Sequence, residues 1–193
     1  MRAINNEPKG AIDLGKVLRK ALSNTRDIGQ STACIATLGD KYIHAVNIGD
    51  SSFMVVRKGR AYFHSPVQQH ALDWPYQLGS DPNSDPPSLA VDLKFHLAPG
   101  DVIVAGTKLF NNLFGNEVVG AILHRNNDGL GPQKMASMIA ILAQKRARGN
   151  DVTPFSVAAR KARWTIIGTI IVANVSWADV SDRSEMSTCR TTS

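Results

Sequence analysis

The sequence predicts an α+β fold, and three observations carry that prediction. Short apolar segments punctuated by Gly and Asp crowd the region 31–63, as in consecutive strands. One segment, 90–97, alternates strictly between apolar and polar residues, as a half-buried strand does. The region after residue 110 holds longer segments with apolar residues three and four apart, which is helical spacing. Strands and helices are thus segregated along the chain, which favours α+β over a doubly wound α/β arrangement.

The elements follow in order. Residues 1–10 read as a loose lead-in. Residues 11–24 place Ile12, Val17, Leu18 and Leu22 on one stripe and predict the first helix. Strands are expected at 31–38, 42–48 and 53–57, with turns at Gly39-Asp40, Gly49-Asp50-Ser51 and Lys58-Gly59 before a further segment at 61–63. Their even spacing predicts one antiparallel meander. Tyr42, Val46 and Ile48 fall on one face and Ile43 and Ala45 on the other, so a sheet covered on both sides is expected.

Pro82, Pro86 and Pro87, with Asp81, Asn83 and Asp85, predict an irregular exposed loop at 79–88. Pro99-Gly100 turns the chain from the alternating strand into a continuous apolar strand at 101–105. A short helix is expected at 117–123. Pro132 at a first helical position, the stripe Met135, Met138, Ile139 and Leu142, and Gly149 predict a helix over 132–148. Thr153-Pro154 reads as a cap followed by a first-turn proline and starts a helix to about 162. A final strand region is expected at 165–177, and 178–193 reads as a disordered tail. The domain is therefore placed at 11–177.

The 193 residues, 43% of them hydrophobic, suit one domain with a proper core. The net charge of +6 lies in clusters at 16–20, 57–60, 145–148 and 160–163. The last two fall near expected helix C-termini, where cations are favourable without any ligand. Only 6% of the residues are aromatic, so a nucleic-acid surface interleaved with aromatics is not expected. Cys34 sits in an apolar strand and Cys189 in the polar tail, which gives neither a disulfide framework nor metal-ligand spacing. MRAINNEPKG carries no apolar signal segment, and the most apolar run, 165–175, is too short to span a bilayer. A soluble intracellular protein is expected, its compartment and oligomeric state left open.

Specific segments carry a resemblance. STACIATL, HAVNIGDSSFMVVRKG, SPVQQH with the following PYQL, APGDVIVAGT, LFNNLFGNEVV and TPFSVAA occur in one order over 11–177. In them the chain resembles the protein phosphatase 2C family, and within it a plant-type branch. The resemblance implies a β-sandwich flanked by helices, here without the family's N-terminal strands. It implies hydrolysis of phosphoserine and phosphothreonine in proteins with two Mg²⁺ or Mn²⁺ ions, whose bridging carboxylates hold them and activate a water.

Hard divalent ions need about six oxygen ligands, mostly from carboxylates, and a two-metal site needs the ions about 4 Å apart. Against that requirement the family's aspartates are mostly missing. An Asp-Gly pair on an early strand has no counterpart before Ser31, and Asp128-Gly129, the sole Asp-Gly, reads as a turn. The aspartate of a Gly-Thr-Asp-Gly motif falls where Gly106-Thr107-Lys108-Leu109 stands, so a carboxylate gives way to an ammonium that opposes metal binding. A carboxylate slightly downstream is Asn111, and an aspartate before the last strand falls at Gly168-Thr169.

Asp50 is the one family-matched aspartate and the sole candidate metal ligand, with a turn-capping role as the plainer alternative. His70, within SPVQQH, is the candidate substrate contact, with ordering of a loop as the alternative. His44, His64 and His96 are scattered and show no ligand spacing. No catalytic residue is assigned, and the sequence holds no phosphate-binding glycine loop, nucleophile elbow or His-Glu-x-x-His. Asn174-Val175-Ser176 matches a glycosylation sequon by chance. The expectation is a family member of impaired catalysis, with Mg²⁺ or Mn²⁺ bound weakly or not at all and phosphoproteins or a partner protein as its ligands. The alternatives are an active phosphatase that recruits Asp101 or Asp128 beside Asp50, a non-catalytic pseudophosphatase binding module, or an unstable gene remnant.

Overall fold

The computed structural model describes residues 12–126, 131–162 and 175–179. Helix α1 (Leu14–Ser23) is followed by strands β1 (Gln30–Ser31), β2 (Ala33–Leu38), β3 (Tyr42–Ile48), β4 (Ser52–Arg57) and β5 (Arg60–His64). Three short strands, β6 (Gln69–Ala71), β7 (Trp74–Pro75) and β8 (Leu78–Gly79), precede β9 (Val91–His96) and β10 (Val102–Gly106). Helices α2 (Leu109–Asn112), α3 (Gly115–Asn126), α4 (Pro132–Arg148) and α5 (Pro154–Lys161) lead to strand β11 (Val175–Asp179).

Two antiparallel sheets form a sandwich. One has the order β2-β3-β9 and the other β11-β10-β4-β5. The period-2 alternation of the strands sorts their side chains between three layers. Ile43 and Ala45 of β3, Phe53 and Val55 of β4 and Ile103 of β10 fill the space between the sheets. Val46 and Ile48 of β3 point the other way, onto Leu14, Val17 and Leu18 of α1. Met54, Val56 and Val104 pack on Leu113, Ile122 and Ile139 of the C-terminal half. The expected two-sided burial of the sheet is therefore met by a second sheet on one face and by helices on the other.

The expected single meander is corrected. Strand β3 pairs with β2 and β9, whereas β4 pairs with β5 and β10. Gly49-Asp50-Ser51 is thus a corner at which the chain passes from one sheet to the other. Local periodicity sets which side chains share a face but not which strand lies alongside, and strands apolar on both faces can serve either sheet. Gly49 has φ +90°, and a Cβ there would collide with the Thr32 methyl and the Tyr76 carbonyl. Only glycine suits so tight a corner.

The helices follow their end signals. Asp13 caps α1 by accepting from Lys16 N at 2.8 Å. Pro132 opens α4 and Gly149 closes it. Thr153 caps α5 with Pro154 at its first position, and Ser156 completes a reciprocal capping box. Helix α3 is longer than the expected 117–123. The basic residues at the α4 C-terminus are partly engaged, since Arg146 bridges Glu117 at 2.8 Å and Asp151 at 2.9 Å. The last strand is described only as Val175–Asp179, paired with β10. Asp128-Gly129, Gly168-Thr169, Asn174 and Cys189 lie outside the described residues. Among the described residues no helix is long and apolar enough to cross a membrane.

Candidate functional site

One end of the sandwich is polar inside. Asn47, Asp50, Ser51, Ser52, Ser65 and Thr107 are all buried there, where β3 ends, β4 begins and β10 finishes opposite Ser52. These groups tie the ends of the strands together. Thr32 Oγ1 and Ser51 Oγ share a hydrogen bond of 2.7 Å. Phe53 N donates to Ser65 Oγ at 2.9 Å, and Asn47 Nδ2 donates to the Pro66 carbonyl at 3.4 Å. The Asn47 carbonyl oxygen and the Thr107 hydroxyl find no hydrogen-bond partner among the described residues.

Asp50 sits on the corner between the sheets and is 9% exposed. Asn111 Nδ2 donates to Asp50 Oδ2 at 3.4 Å. Burial pushes the Asp50 carboxyl above its ordinary range. The Lys108 charge, the Asp50 N–H and the Asn111 amide oppose that rise, and the nearby Asp73 charge adds to it. Lys108 stands just after β10, with φ 48°, at the position preceding the short helix α2, where its side chain makes no capping bond. Asn111 N donates to the Lys108 carbonyl at 3.2 Å, so these two residues share the first turn of α2.

Asp73 comes from residues 64–78, to which the sequence assigned no element. Strands β6 and β7 form a small hairpin with Ala71 opposite Trp74, and Leu72-Asp73 is its two-residue turn. Asp73 has φ 57°, a left-handed conformation that aspartate adopts more readily than most residues with a Cβ. Its Oδ1 lies 3.4 Å from Lys108 Nζ. Sequence reasoning missed Asp73, for which the only local signal was its neighbourhood to the family-like segments SPVQQH and PYQL.

His70 lies on the same hairpin. Its Nε2 is 2.9 Å and 3.1 Å from the two oxygens of Asp85, and its ring rests on Tyr76 at 4.2 Å and on Trp74 at 5.0 Å between centroids. Asp85 also accepts from Gln77 N at 2.8 Å. Burial pushes the Asp85 carboxyl up, but the Gln77 N–H and His70 outweigh it and hold the group below its ordinary range. Two other histidines have separate partners. His64 contacts the Ser65 carbonyl and the Phe110 ring, and His44 contacts Asp92 at 2.8 Å.

Asp101 does not join Asp50. It precedes β10, whereas Lys108 follows that strand, so the length of β10 separates the two places. Its carboxylate is fully buried in a two-pronged pair with Arg57, at 2.8 Å and 2.7 Å, and accepts from Ala98 N at 2.8 Å.

These residues do not fit a pair of divalent ions. Among the described residues no group of three or more His, Cys, Asp or Glu side chains converges to hold a metal. The nearest groups to Asp50 include an amide donor and an ammonium, whereas hard cations require several oxygens.

The fold is a helix-flanked β-sandwich with a polar corner at Asp50. No protein-family model matches the chain. It is 46% identical over 183 residues to "Probable protein phosphatase 2C 55" of Arabidopsis thaliana, covering 91% of this chain and 39% of that protein. It is 44% identical over 169 residues to "Probable protein phosphatase 2C 80" of the same plant, covering 86% and 41%. Among solved structures, the photosystem II phosphatase PBCP superposes with a TM-score of 0.73 at 31% identity, covering 78% of this chain and 59% of that one. The chain belongs to the protein phosphatase 2C family. It spans about two fifths of the length of these two curated relatives.

Proposed function

We propose that this chain is a protein phosphatase 2C-type module that engages phosphoserine- or phosphothreonine-bearing proteins but turns them over weakly or not at all with Mg²⁺ or Mn²⁺. The observation that carries this reading is the company of Asp50. Its carboxylate accepts from Asn111 and is influenced by the Lys108 charge, where the family resemblance implies further carboxylates. An ammonium near the site disfavours a divalent ion by direct repulsion. His70, fixed by Asp85 beside the hairpin turn, is proposed to contact the bound protein segment.

The test is hydrolysis of a phosphothreonine peptide by the whole chain with Mn²⁺, beside binding of the same peptide without metal. The reading predicts metal-independent binding with negligible turnover. Robust Mn²⁺-dependent turnover that Asp50→Ala abolishes would establish an active phosphatase instead. A chain that aggregates and shows no cooperative melt would favour a gene remnant.

A further inference from the structure

We propose that Lys108 acts as a resident cation, its ammonium fastening the β6–β7 hairpin to the β10–α2 corner beside Asp50, so that the hairpin is held without a divalent ion. Three features of the site converge on this role. Lys108 Nζ lies 3.4 Å from Asp73 Oδ1, and Asp73 is in the hairpin turn. Lys108 shares the first turn of α2 with Asn111, which donates to Asp50. Both Lys108 and Asp73 adopt left-handed backbone conformations, at φ 48° and 57°. Such a conformation is disfavoured for lysine and better tolerated by aspartate, so the surrounding contacts must hold Lys108 in place.

The hairpin's other polar ties among the described residues lie away from its turn. The hairpin belongs to neither main sheet. Gln68 N donates to the Gly49 carbonyl at 3.0 Å, Tyr76 N to the Gln68 carbonyl at 3.2 Å, and His70 meets Asp85. These bonds anchor the base of the hairpin and the face of one strand. At the turn, among the described residues, the Lys108–Asp73 pair joins the hairpin to the end of β10. An ammonium on a flexible four-carbon stem can do this at any metal concentration, because it is supplied by the chain.

The role differs from that of a metal-excluding charge. A lysine that merely repels ions would leave the hairpin indifferent to its removal. The two side chains are each 36% exposed, and ion pairs this open are weak. Removing the ammonium should therefore accelerate local opening roughly threefold, not unfold the domain.

Backbone hydrogen exchange on the whole chain tests the proposal, with Lys108→Met, which keeps the apolar stem, and Lys108→Arg, which keeps the charge. Expected is exchange roughly threefold faster at residues 69–74 in Lys108→Met, little change in Lys108→Arg, and unchanged protection in β3 and β4. Millimolar Mn²⁺ should leave wild-type hairpin exchange unaltered. Unchanged hairpin exchange in Lys108→Met would overturn the proposal, as would a wild-type hairpin that Mn²⁺ protects. The readout needs no turnover, so it stands apart from the phosphatase assay: activity in that assay would overturn the functional reading and leave the lysine tie to be judged by exchange alone.

Discussion

The side-chain amide of Asn111 donates to Asp50 Oδ2 at 3.4 Å, so this buried carboxylate faces a donor where a metal would need acceptors. Putting carboxylates back should reverse this. The double variant Lys108→Asp/Asn111→Asp is expected to be less stable than wild type without metal, because like charges crowd a buried carboxylate. Mn²⁺ should restore part of the lost melting temperature in the double variant alone. Calorimetric melts with and without Mn²⁺ check it, and an identical Mn²⁺ effect on wild type would refute it.

Asp50 itself should cost stability at neutral pH. Its carboxyl is raised above the ordinary value, chiefly by burial. A raised carboxyl binds its proton more tightly in the folded state, so stability falls as pH rises from the unfolded value through the folded one. Asp50→Asn is therefore expected to raise the melting temperature at pH 7, with the gain disappearing below about pH 4. A lower melting temperature for Asp50→Asn at pH 7 would show that the ionised group is a net stabiliser.

The Arg57–Asp101 pair should behave in the opposite sense. Burial pushes Asp101 up, but hydrogen bonds from Arg57 and Ala98 and the Arg57 charge outweigh it and hold the carboxyl below its ordinary value. Such a group contributes stability that is present above the unfolded value and lost as pH falls through the folded one. Asp101→Asn should lower the melting temperature at pH 7, and the difference from wild type should narrow below about pH 4. A difference independent of pH would mean that packing, not charge, holds this corner.

The inter-sheet core gives a larger effect. Phe53 is 1% exposed and stacks obliquely on Phe63, with 5.7 Å between ring centroids. Phe53→Ala should cost about 3–5 kcal/mol through lost transfer energy and the cavity left behind. Denaturant titration of the variant checks this, and a loss below about 1 kcal/mol would contradict the sandwich described.

Much of this architecture was legible in the residues. The alternation in β9, the Pro132 and Gly149 boundaries of α4 and the Thr153-Pro154 start of α5 depend on neighbours a few positions away, and the sequence holds those neighbours. The division of β3 and β4 between two sheets was not legible, because the choice of strand partner is made by contacts far apart in the chain. The same limit hid the β6–β7 hairpin. Asp50 and Lys108 could be singled out from the motif around them, but Asp73 meets Lys108 across 35 positions. Only the folded chain brings its carboxylate to the site.

The most direct test of the central claim is calorimetric titration of the whole wild-type chain with Mn²⁺. Donors around Asp50 in place of carboxylates predict no saturable binding at micromolar metal. Saturable binding of about two ions per chain, the two-metal stoichiometry, would contradict the account.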